Sequence, residues 1–262
     1  MDTLFVIKIG GNIIDDDDAL NQFLKDFATI NAPKILVHGG GKIASKFGEK
    51  LGIQANYVHG RRITDAATLE LVTMVYAGLI NKKMVVLLQA LSCNAIGLSG
   101  ADANIIKGVI RPIKQIDYGY VGDITTQSVQ HRILNTLLAE KLVPIIAPLI
   151  HDGAGQLLNT NADTIAACVA ICLSTYFDVR LIYCFEKNGI LKNIEDESTV
   201  IDVLTKNTYH QLLIEKKLFE GILPKIDNAF AAIENGVQEV VIGHAKHILK
   251  NTTAVTMGTL IK

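Results

Sequence analysis

Chemistry in this chain gathers around glycine. Lys8 stands two residues before Gly10 and Gly11 in "VIKIGG", inside a run of apolar strand formers. A lysine in a buried strand is costly unless an anion meets it. Either the strand lies at a sheet edge with Lys8 in water, or its ammonium sits beside phosphate oxygens that glycine N–H groups hold. A second apolar run leads into Gly39, Gly40 and Gly41 in "ILVHGGGKIAS". Consecutive glycines cost chain entropy, so a bare backbone must be required there. The spacing excludes a P-loop, because Lys42 is followed by Ile43. Gly39, Gly41 and Ala44 formally meet the dinucleotide pattern G-x-G-x-x-[GA], but Arg61 and Arg62 stand where the next strand should end in an acid. NADP tolerates arginine there, so an NADP-binding Rossmann-type dehydrogenase stays open.

The totals narrow the partners. The chain has 262 residues, 49% of them hydrophobic, with 25 Lys and Arg against 26 Asp and Glu. A net charge of −1 provides no polybasic field for nucleic acid or an anionic membrane. The longest apolar run, "LVPIIAPLI", is too short to span a bilayer and holds two prolines. Cys93, Cys168, Cys172 and Cys184 form no C-x-x-C pair and read as buried free thiols of a reducing compartment. With no signal-peptide pattern before the strand at Leu4, the expected location is the cytoplasm.

Elements to position these residues alternate along the chain. Strands are expected at "TLFVIKI", "KILVH", "LVPIIAP", "RLIYCF" and "VQEVVIG", with a short one in "ANYVHGR". Helices fall between them: 19–30, "KIASKFGEKLG", a long stretch from Thr64 or Asp65 interrupted near Gly78, 127–141, "NADTIAACVAICLSTY", "NTYHQLLIEKKL" and "PKIDNAFAAIENG". "IIKGVIRPI" and "YGYVGDI" suggest a hairpin above the sheet. The aspartates at 15–18 read as a dipole-matched helix start rather than a metal site. Strand–helix alternation implies a mostly parallel sheet covered on both faces, with ligands beyond the carboxyl ends of the strands, where both glycine clusters fall.

In order and spacing, "KIGG", "VHGGGK", "GRRIT", "NTNAD" and "GILPKIDNA" resemble the acetylglutamate kinases of the amino acid kinase family, from about residue 4 to "MGTLI". The resemblance implies a three-layer αβα sandwich around a mostly parallel central sheet. Residues 1–173 would form a lobe for the acylglutamate and for dimerisation, and 174–262 a lobe for ATP. The γ-phosphoryl group of ATP would pass to the γ-carboxylate of an N-acylglutamate, a step of arginine biosynthesis. Lys8 and Lys225 match the lysines flanking that group, Asp163 the carboxylate orienting them, Arg62 the clamp on the α-carboxylate, and Asn159 a further substrate contact. Gly39 and Gly40 match backbone donors near the reacting groups. Gly10, Gly11, Glu186, Gly189, Leu191, Leu218 and Phe219 fall on the nucleotide side. Mg²⁺ is expected with ATP, held by phosphates and water, with no metal-ligating residue of the chain. Phosphoryl transfer between oxyanions needs charge cancellation more than a base, which suits two ammonium groups. Lys225 at a helix start is unfavourable to the dipole unless a phosphate sits there. Asp163 reads equally as a helix-start residue, and His38 as a packed histidine.

The match departs in three places. Glu186 replaces the usual aspartate, "GADA" at 100–103 lacks a lysine, and Arg61 stands where an apolar residue is common. Arg61 would suit an acyl group with its own carboxylate, such as succinyl, or would point to solvent. Because the first strand starts about three residues in, a homodimer insensitive to arginine is expected rather than a hexamer. A carbamate, aspartate or glutamate kinase of the same fold is the nearest alternative, and "GRRIT" and "NTNAD" argue against it.

Overall fold

In a computed structural model, which describes residues 1–58, 61–193, 195–215, 218 and 222–262, the apolar runs become strands in the expected order. Strands β1 (Thr3–Ile9) and β2 (Lys34–His38) precede a short antiparallel pair, β3 (Tyr57–Val58) and β4 (Arg61–Arg62). Next come β5 (Ala95–Leu98), the hairpin β6 (Val109–Ile110) and β7 (Gly122–Asp123), β8 (Val143–Ile146), and the pair β9 (Leu149–His151) and β10 (Leu157–Asn159). The chain continues through β11 (Asp178–Phe185), β12 (Val203–Leu204), β13 (Glu239–His244) and β14 (Thr259–Ile261).

Eight strands form one sheet in the order β12-β14-β13-β11-β1-β2-β8-β5, parallel from β13 to β5, with β14 antiparallel to β13. Strand β1 therefore lies in the middle, between β2 and β11, and the edge-strand alternative for Lys8 is excluded. The sheet runs unbroken through residues on both sides of position 174.

Helices cover both faces: α1 (Gly11–Ile14), α2 (Asp17–Ala28), α3 (Gly41–Lys50), α4 (Ala66–Val72), α5 (Asn81–Ala90), α6 (His131–Ala139), α7 (Ala162–Leu173), α8 (Lys206–Ile214), α9 (Leu223–Glu234) and α10 (Ile248–Asn251). Alternate residues of β1 serve opposite cores, as the pleat requires. Leu4 and Val6 pack with α6, α7, α8 and α9; Phe5, Ile7 and Ile9 pack with α2, α4, α5 and α10. By the same alternation Lys8 faces the α7 side.

Asp16 caps α2, accepting from the Asp18 and Ala19 amides, so the acidic run is a helix start as expected. The interruption expected near Gly78 is absent. Residues 73–80 continue the helix as a π segment joining α4 to α5, because Val75, Tyr76 and Ile80 stay buried on the inner side while Gly78 faces open space. The whole stretch, 66–90, is long and apolar enough to cross a membrane by length and composition, yet Val72, Val75, Ile80, Met84 and Leu88 all pack in the second core.

Candidate active site

Strands β1 and β2 end level, with Ile9 opposite His38, and the Gly39 amide donates to the Ile9 carbonyl at 3.1 Å. The two glycine turns therefore converge at the carboxyl edge of the sheet. Gly40 has a φ of 155°, in the region that favours glycine, and a Cβ there would collide with Ile80 and Tyr76 of the π segment. Its bareness is thus imposed from behind by the core. A Cβ on Gly39 would meet nothing closer than 3.8 Å, leaving that residue open toward the cleft.

Below the turn lies a polar chain that sequence reasoning missed. Asn81 Nδ2 donates to the Ile145 carbonyl at 2.8 Å and lies 3.1 Å from His38 Nε2. An amide N–H can only donate, so Nε2 accepts and the imidazole proton sits on Nδ1, donating to the Gly39 carbonyl at 2.8 Å. Burial pushes the His38 imidazole down to about 4, the Gly39 hydrogen bond opposing only in part, so the ring is neutral. Nothing in the linear pattern ties Asn81 to His38; the π segment delivers it.

The charged centre joins both ends of the chain. Lys8 Nζ lies 2.7 Å from Asp163 Oδ1, and Lys225 Nζ, at the start of α9, lies 2.5 Å from Oδ2. Asp163 sits in the first turn of α7, but Asn161 is the cap, accepting from the Asp163 and Thr164 amides. Burial acts to raise the Asp163 carboxyl, and Lys8 and Lys225 override it, holding it well below the usual carboxylate range. Burial lowers the Lys225 ammonium, with Asp163 opposing and Lys8 adding to the drop. Two cations around one anion leave a positive surplus beside the N-terminal ends of α3 and α7, where backbone N–H groups also favour anions.

A cleft of about 450 Å³ opens over this centre, bordered by Lys8, Gly11, Gly39, Gly40, Arg61, Arg62, Asn159 and Asp163. Arg62 is buried and donates to the Gly41 carbonyl and Ser45 Oγ, both at 2.8 Å, and to the Tyr57 hydroxyl, with its guanidinium 4.7 Å from the Tyr57 ring centre. Its Nε is buried with no partner among the described residues. Asn159 donates to Thr64 Oγ1 at 3.0 Å. Tyr57, Arg111, Asn161 and Asn228 also border the cleft and Ser45 accepts from Arg62; sequence reasoning gave none of them a role, although Asn161 stands inside "NTNAD" and Ser45 one helical turn after Gly41.

The nucleotide-side expectations scatter more. Gly10 lies under Lys8, with a Cβ position 3.7 Å from Nζ. Glu186 follows β11 and acts electrostatically on Lys225. Gly189 packs against Thr259 and Val200, Leu191 bridges to Val200, and Leu218 packs on the first core; none of the three borders the cleft. Phe219 lies outside the described residues. Among the described residues no three His, Cys, Asp or Glu side chains cluster as metal ligands.

A model of the amino acid kinase family matches residues 3–244. The chain belongs to that family. Curated acetylglutamate kinases are similar to this amino acid kinase along nearly their whole length. That of Cytophaga hutchinsonii is 51% identical over 251 residues, covering 95% of this chain and 94% of its own. That of Bacteroides thetaiotaomicron is 49% identical over 259 residues, covering 99% and 98%. Among solved structures, N-acetylglutamate synthase from Neisseria gonorrhoeae, complexed with coenzyme A and N-acetyl-glutamate, superposes with a TM-score of 0.83 at 23% identity, covering 99% of this chain. The present chain spans 59% of that synthase. Giardia carbamate kinase superposes with a TM-score of 0.69 at 12% identity, covering 99% of this chain and 98% of its own. These two likenesses show the fold alone. Membership of the amino acid kinases removes the dehydrogenase alternative, and the αβα sandwich is the expected one.

Proposed function

We propose that this amino acid kinase transfers the γ-phosphoryl group of ATP to the γ-carboxylate of N-acetyl-L-glutamate or a close N-acylglutamate, a step of arginine biosynthesis. One observation carries the reading: ammonium groups from opposite ends of the chain meet on a single buried carboxylate at a glycine-lined cleft. A carboxylate oxygen attacks the γ-phosphorus, the bond to the β,γ-bridging oxygen breaks, and ADP leaves with that electron pair. The acceptor is ionised at neutral pH and needs no base. Lys8 and Lys225 neutralise charge on the migrating group, Asp163 spaces them, and the Gly39–Gly40 turn presents N–H donors. Arg62 suits the α-carboxylate because its planar fork can meet both oxygens.

Among the described residues bordering the cleft, the two carboxylates are both engaged, Asp163 by two lysines and Asp123 by Arg111. That fits a cation arriving on the nucleotide phosphates and water, where it would screen their charge. Residues 1–173 take the acylglutamate in this reading and 174–262 the nucleotide, with Glu186, Gly189, Leu191, Leu218 and Phe219 on that side. The enzyme works as a homodimer, supported by the exposed apolar side chains Met74, Leu79 and Val86 along the 66–90 helix. Four free cysteines support a cytoplasmic setting.

An ADP-release assay with hydroxylamine present tests the reaction. Hydroxamate forming only with ATP and an N-acylated glutamate is the expected result; ADP release without hydroxamate, or none, overturns it.

A further inference from the structure

The cleft holds two cations that the reaction above does not use, Arg61 and Arg111. Neighbouring residues on a strand face opposite sides, and β4 shows it. Arg62 turns inward onto Gly41, Ser45 and Tyr57, while Arg61 is exposed and lies in the field of Arg111, Asp123 and Tyr118. Arg111 takes up Asp123 with both arms, Nε lying 3.0 and 3.2 Å from its two oxygens, and stacks 5.2 Å from the Tyr118 ring centre. Among the described residues Arg61 makes no hydrogen bond or ion pair. One carboxylate thus stands near two guanidinium groups and is engaged by Arg111 alone, and Arg61, Arg111 and Asp123 all border the same cleft as Arg62. Burial, then Arg111, holds the Arg61 guanidinium below its usual value despite Asp123.

An acylglutamate has two carboxylates of its own, already met by the lysine pair and by Arg62. What remains to face Arg61 is the acyl group. A methyl group there would shield a charge from water and return nothing. A carboxylate would gain a charge-assisted hydrogen bond and cancel the surplus.

We propose that the acyl end of this cleft recognises a third carboxylate, so that the preferred acceptor is an N-acyl-L-glutamate whose acyl chain itself ends in a carboxylate, as a succinyl group does. The proposal rests on the kinase reading and deepens it. It predicts that the supplying reaction is an acylation of glutamate by an activated dicarboxylic acid.

Steady-state rates with N-succinyl-, N-butyryl- and N-acetyl-L-glutamate test it, the butyryl compound having the length without the charge. The expected kcat/KM for the succinyl compound exceeds both others by at least about tenfold. Arg61→Gln lowers that value mainly through KM, and by at least about tenfold more than it lowers the acetyl value. Wild-type enzyme that handles acetyl or butyryl as well as succinyl overturns the proposal, as does an Arg61→Gln protein that loses all three in proportion. Turnover of the acetyl compound alone leaves the kinase reading standing and removes this one; turnover of none of the three removes both.

Discussion

A carboxylate with an ammonium on each oxygen cannot take a proton without weakening both ion pairs, so Asp163 stays ionised far into acid. Its stabilising contribution is present above about pH 3.9, the ordinary value for the unfolded chain, and fades only as pH falls through its lower folded value. His38 acts in a different window. Its folded value of about 4 lies below the unfolded value near 6.5, so the unfolded chain binds the extra proton first. Stability should fall from pH 6.5 to 4 with a slope of up to about 1.4 kcal/mol per unit. His244 and His247, lowered chiefly by burial, tilt the curve the same way but are less enclosed. Urea midpoints across this range should therefore flatten in His38→Gln relative to wild type, and an unchanged slope would refute the neutral buried ring. In kinetics, Lys8→Ala should cut kcat by about 10²–10³-fold, the scale of one lost transition-state donor. Arg62→Ala should chiefly raise KM, because it grips a group remote from the reacting oxygen. Hydroxamate rates read both.

At the scale of elements, the π segment between α4 and α5 explains two features at once. It brings Tyr76 and Ile80 against Gly40, and it starts α5 with Asn81 aimed at His38. Gly40→Ala should cost about 1–3 kcal/mol, combining an unfavourable φ with overpacking. Pairing it with Ile80→Ala should recover part of that loss, as thermal unfolding of the single and double variants would show. None of this was legible beforehand. A π turn has no compositional mark, and the apolar spacing of "TMVYAGLIN" reads as an ordinary helix with a weak point at Gly78. What could be read was the run of five adjacent strands β13, β11, β1, β2 and β8, because segments such as "FVIKI", "ILVH" and "LIYCF" are too short and too apolar for anything but buried strands; β5, β12 and β14, of two to four residues each, were not expected. The lysine in the first of them needed a partner, and Asp163 supplies it. Arg62 was legible as an arginine but not as one held by Tyr57, since a contact across a hairpin leaves no trace in linear spacing.

For the whole molecule, the apolar residues left outside matter most. Met74, Leu79 and Val86 repeat along one exposed flank of a helix whose other flank is core. In the homodimer proposed above this flank is covered. Val86→Glu should shift the protein toward monomer in analytical ultracentrifugation, whereas an unchanged sedimentation coefficient would place the contact elsewhere.

The central position of β1 also bears on how the chain is made. On one side it pairs with β2, which follows within thirty residues or so, but its other neighbour is β11, and the anion for Lys8 comes from α7. A ribosome adding about 5–20 residues per second delivers those partners on the order of ten seconds or more after the first strand emerges. Throughout that interval the opening strand has a bare flank and an unmatched cation, so nascent chains should depend on water or a chaperone to keep it apart from its neighbours.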